Sequence, residues 1–96
     1  MGINQLLKEK RLEILDIAAR HCAYNVRVFG SAARGEAGPE SDIDLLVERG
    51  PRHSSFFPGG LINDLEKLLG RKVQIVTVKA LYHYIRDRVL HEAIDL

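Results

Sequence analysis

In the stretch GSAARGEAGPESDID, residues 30–44, a Gly30-Ser31 pair is followed, after ten intervening residues, by Asp42-Ile43-Asp44. Alternate side chains of a strand share a face, so Asp42 and Asp44 would project together, roughly 6–7 Å apart. Two carboxylates placed this way repel unless a cation sits between them. Hard oxygen ligands suit Mg²⁺, which takes one or two carboxylates together with substrate phosphates. Gly30 lets the backbone come close to a ligand, having no side chain to obstruct it. Ser31 opens a helical turn whose free N–H groups and hydroxyl can hold a phosphate. A phosphate cradle beside Mg²⁺-binding carboxylates is what a nucleoside triphosphate needs. Each motif alone is common, since Gly and Ser favour any turn. The combination, with Ile43, Leu45 and Val47 fixing the register on the opposite face, points to a site.

The elements that must position these residues alternate along the chain. Residues 4–20, NQLLKEKRLEILDIAAR, read as one helix that Asn4 can cap, with Leu7, Ile14 and Ala18 near one stripe. Residues 25–29, NVRVF, alternate as a strand that Gly30 ends. Residues 31–34 fit one helical turn before Gly35. Residues 42–48 form a second strand, with Asp42, Asp44 and Leu46 on the face away from Ile43, Leu45 and Val47. The run ERGPRHSSFFPGG is a loop by its Pro and Gly content. Residues 61–69 make a helix closed by Gly70, residues 73–78 a third strand, and residues 82–94 a last helix. The order predicts an α/β (α+β) fold, a small three-stranded sheet flanked by helices, in a single domain over residues 1–96.

Composition narrows the function classes. The 96 residues are 46% hydrophobic, enough for one core. Net charge is +1, from 14 basic and 13 acidic residues, which gives no electrostatic case for direct nucleic-acid binding. The lone Cys22 forms no internal disulfide and fits a reducing, cytoplasmic setting. No apolar run nears the roughly 20 residues that cross a bilayer. So small a chain can also have part of its apolar surface covered by a partner or a second copy. His21, His53, His83 and His91 share no metal-ligand spacing, which speaks against zinc.

Gly30-Ser31 with Asp42-x-Asp44 resembles the signature of the DNA polymerase beta superfamily of nucleotidyltransferases. The segments GSAARGEAGPESDIDLLVE, SSFFPGGLINDLEKLLGRKV and ALYHYIRDRVLHEAI look, more narrowly, like the minimal nucleotidyltransferase (MNT) antitoxins of bacteria and archaea. The resemblance implies a mixed sheet packed with helices and a Mg²⁺-bound triphosphate, ATP or another NTP, at Gly30, Ser31, Asp42 and Asp44. It also implies a toxin partner of the HEPN class, whose members are ribonucleases, and transfer of adenylate to a tyrosine of that toxin.

One position departs from the pattern. Such enzymes usually carry a third carboxylate on the next strand, and Gln74 stands in its place. In two-metal transfer that carboxylate helps hold the metal that activates the attacking hydroxyl. An uncharged Gln74 therefore opens a second reading, an antitoxin that neutralises its toxin by contact alone. Glu40 and Glu66 are candidates for the missing charge. Arg34, three residues after Ser31, reads either as a phosphate contact or as a solvated turn residue. Ser41 either orients Asp42 toward the nucleotide or starts the strand. Cys22 reads as a buried small residue, Tyr82 and Tyr84 as packing or partner contacts. Phe56 and Phe57, aromatics in a loop, are expected to meet a partner.

Overall fold

The computed structural model describes residues 3–35, 38, 42–51, 57–81 and 83–96, leaving out the side chains of residues 3, 4 and 83–86. The elements are α1 (Ile3–Glu9), α2 (Arg11–Arg20), β1 (Ala23–Phe29), α3 (Gly30–Ala33), β2 (Ile43–Arg49), α4 (Gly59–Leu69), β3 (Val73–Thr77), a 3-10 turn (Val78–Ala80), α5 (His83–Glu92) and β4 (Ile94–Asp95). The sheet is mixed, with strand order β3-β2-β1-β4. β2 runs antiparallel to β1 and parallel to β3.

Ile43, Leu45 and Val47 point from β2 into the core, and all three are fully buried, as the alternation predicts. They meet Leu7 of α1, Ile14 and Ala18 of α2, and Leu61, Leu65 and Leu69 of α4. The α4 leucines recur every fourth residue, which places them on one stripe. Burial of each such side chain contributes about 1.5–3 kcal/mol. Gly70 then closes α4 in the left-handed region at φ +66°, its N–H reaching the Glu66 carbonyl at 2.9 Å. Leu46 is also fully buried, although it lies on the aspartate face. That face is therefore covered one step along the strand from Asp44.

Four local features differ from the sequence expectation. The first helix is broken at Lys10, whose angles (−98°, 7°) leave the helical range while its backbone hydrogen bonds continue. Propensity gives no warning, since lysine is as good a helix former as its neighbours. β1 starts earlier, at Ala23, and carries a bulge in which Asn25 takes φ +50°. Asn tolerates that region, and its amide donates to Glu48 Oε2 at 2.5 Å. The last helix ends at Glu92, and residues 94–95 add a fourth strand to β1, pairing Ile94 with Val28 and Asp95 with Arg27. Cys22 is half-buried, in a left-handed turn at φ +62°, not a core residue.

Phe57 is half-buried and packs on the core, so the expectation that it waits for a partner is corrected. A ring next to an apolar core gains more by tucking under its loop than by facing water. Phe56, Tyr82 and the Tyr84 side chain lie outside the described residues, whereas Asn4 lies inside α1, which starts at Ile3, and so is not its cap.

His21, at the end of α2, ties that helix to α4. Its Nε2 lies 2.8 Å from Asp64 Oδ2. The hydrogen bond from His21 holds the Asp64 carboxyl below its ordinary value. A lowered carboxylate adds stability above its unfolded pKa of about 3.9 and loses it as pH falls through the folded value. Thermal melts of Asp64→Asn should therefore show a lower Tm than wild type at pH 7, with the gap closing toward pH 3.

Candidate functional site

β1 ends by running into the Gly30–Ala33 turn, and β2 begins beside it. The antiparallel register places Phe29 opposite Asp44, and the parallel register places Gln74 opposite it on the other side. Directly opposed residues share a face. Asp44 thus stands between an aromatic ring position and an amide, with Asp42 two residues back on the same face.

Gly30 abuts this pair. Its φ is +71°, a value that L side chains rarely adopt, and a Cβ there would collide with Asp44 Oδ2 and lie 3.2 Å from its Cγ. The glycine is required twice, by its dihedral and by the carboxylate that occupies the side-chain position. Ser31 follows, half-buried, in the first turn of α3. The leading N–H groups of a helix have no partner within it.

The electrostatics fit a cation. Burial, then the Asp42 charge, push the Asp44 carboxyl above its ordinary value, while Arg34 pulls it partly back. A positive ion between the two half-buried carboxylates would relieve the cost that burial and the Asp42 charge impose on Asp44. Asp42 and Asp44 have the donor chemistry to hold a divalent cation together with phosphate oxygens. Among the described residues no three of His, Cys, Asp and Glu gather into a metal cage.

Gln74 is where the third carboxylate was expected. Its Nε2 donates to Asp42 Oδ2 at 2.9 Å. The amide steadies Asp42 without adding charge. Glu66 does not take over, since its Oε2 accepts the Val73 N–H at 3.0 Å and serves the start of β3. Glu40 and Ser41 lie outside the described residues.

Arg34 is a turn residue with an exposed side chain, yet it is not held by solvent alone. One turn past Gly30, it ion-pairs through Nη1 with Glu92 Oε1 at 2.9 Å. Sequence reasoning singled out neither Glu92, 58 residues away, nor Phe29. The Phe29–Asp44 pairing could be read from the β1–β2 register. Nothing in the local pattern marks Glu92.

Comparison with known proteins agrees with the geometry. The nucleotidyltransferase domain family matches residues 7–96. A relative from Methanocaldococcus jannaschii, named "putative protein adenylyltransferase MJ0435", is 35% identical over 96 residues, covering 100% of this chain and 99% of its own. The protein adenylyltransferase MntA of Thermococcus cleftensis is 37% identical over 81 residues, covering 82% and 80%. A solved structure described as a "putative minimal nucleotidyltransferase" superposes with a TM-score of 0.86 at 44% identity, over 96% of this chain and 94% of that one. A toxin–antitoxin crystal structure with AMP-PNP shares the fold at a TM-score of 0.74 and 19% identity, over 88% and 69%. With a family match along nearly the whole chain and close relatives at full length, the chain belongs to the nucleotidyltransferase-domain family and is a minimal nucleotidyltransferase enzyme.

Proposed function

We propose that this nucleotidyltransferase moves AMP from Mg²⁺-bound ATP to a hydroxyl of a protein partner, a HEPN-class toxin, and so acts as an antitoxin in the cytoplasm. The observation that carries the reading is the contact between Gly30 and the Asp44 carboxylate, with Asp42 on the same face. It leaves the α-phosphate no side chain to displace as it approaches the carboxylates. Relatives that bear the name protein adenylyltransferase support the protein acceptor. The toxin–antitoxin assembly sharing this fold supports the partner.

In the transfer, the acceptor oxygen bonds to the α-phosphorus, the bridging oxygen leaves with pyrophosphate, and the hydroxyl proton passes to solvent. Mg²⁺, when bound, supplies charge neutralisation at the phosphates. Asp42 and Asp44 hold it, the Ser31 turn orients the phosphates, and Gln74 keeps Asp42 in place by its hydrogen bond. Among the described residues no helix is long and apolar enough to cross a membrane.

A second reading, neutralisation by contact with little transfer, is favoured by Gln74 alone. Labelled ATP incubated with the purified toxin separates the two. Gln74→Glu places a carboxylate against Asp42 and should raise transfer at least ten-fold, since a base or activated alkoxide is worth roughly 10²–10⁴ in rate. Without Mg²⁺ the same variant should melt lower than wild type, because three carboxylates then repel. Wild-type transfer lost in Asp42→Asn, with no gain in Gln74→Glu, would mean that another residue supplies the third ligand. Intact neutralisation with no transfer from any variant would hand the case to the contact antitoxin.

A further inference from the structure

We propose that Glu92 is a positioning residue for the nucleotide, holding Arg34 beside the carboxylate pair so that its guanidinium meets the triphosphate in a fixed orientation. The inference rests on the reading of Gly30, Asp42 and Asp44 as the triphosphate site. Arg34 follows Gly30 by one helical turn, its N–H bonded to the Gly30 carbonyl at 3.2 Å, so its side chain rises from the wall that abuts Asp44. The attraction between Arg34 and Asp44 agrees with that placement.

Glu92 is the last residue of α5. An acid there faces the exposed carbonyls and the negative end of the helix dipole, an unfavourable place for a carboxylate. The Arg34 guanidinium offsets that cost at 2.9 Å, with the Glu92 side chain only 24% exposed. A guanidinium has five N–H donors in a rigid fork, so a carboxylate on one terminal nitrogen orients the others.

The segment carrying Glu92 is itself fastened to the site. Ile94 and Asp95 pair with Val28 and Arg27, next to Phe29 and Gly30. Asp95 lies 3.4 Å from Arg27, and Arg11 donates to the Leu96 carbonyl at 2.7 Å. Anchored this way, Glu92 fixes a rotamer that a flexible arginine would otherwise lose entropy to adopt on binding.

The test is Mg²⁺-ATP binding by calorimetry on the full chain, with thermal melts alongside. Glu92→Gln should weaken binding about 5- to 10-fold while Tm stays within a few degrees, because a partly exposed ion pair contributes little to stability. Glu92→Asp should recover part of the affinity. In an Arg34→Gln background, Glu92→Gln should have no further effect on affinity. Unchanged or tighter ATP binding in Glu92→Gln, or an equal loss in the Arg34→Gln background, would overturn the role. If wild type binds no Mg²⁺-ATP, the triphosphate reading itself falls and this inference with it; binding by wild type that Glu92→Gln leaves untouched refutes the inference alone.

Discussion

Asp44→Asn should abolish nucleotidyl transfer and at the same time make the free protein more stable. Both effects come from one observation, the raised Asp44 carboxyl. A carboxylate that is disfavoured by burial and by Asp42 destabilises the folded chain whenever it is ionised. Its penalty is present above the folded pKa and relieved as pH falls through it. Replacing it by a neutral isostere removes the penalty at pH 7, so Tm should rise. The gain should shrink as melts are repeated toward pH 4. Activity moves the other way, because a cation held by Asp42 alone loses several kcal/mol of charge stabilisation in the transition state, on the order of 10²–10⁴ in rate. Melts and label transfer on the same preparation check both signs. A variant that is active and no more stable than wild type would refute the picture of two carboxylates awaiting a cation.

Gly30→Ala should damage the site more than any other single-methyl change. The left-handed dihedral costs a residue with a Cβ about 1–2 kcal/mol. The added methyl also collides with Asp44 Oδ2, so the carboxylate or the Gly30–Ala33 turn must move. A shift near 1 Å in a positioning group can cost about 10²-fold in rate. The expected result is a folded protein, its Tm lowered by roughly 5–10 °C, with transfer reduced at least 100-fold. Gly35→Ala is the control, since it has a similar φ of +74° and open space around it. It should share the loss of stability and keep most of the activity.

How much of this was legible in advance depends on the range of the interactions concerned. The Gly-Ser turn, the two aspartates on one face and the core side of β2 were legible, because a strand's period of two puts residues 42 and 44 together whatever surrounds them. The closure of α4 at Gly70 was legible for a similar local reason. The fourth strand was not, since two residues carry no period and Ile94–Asp95 becomes a strand only by meeting the open edge of β1. The break at Lys10 has no local signature either, and the bulge at Asn25 answers to strand pairing, not to propensity. Gln74 could be suspected from its position on the third strand, but its hydrogen bond to Asp42 needed the parallel β2–β3 register. Glu92 had no local signature at all. Its carboxylate reaches Arg34 only because β4 and α5 bring the chain's last residues back to the turn after β1, a closeness that no sequence period encodes.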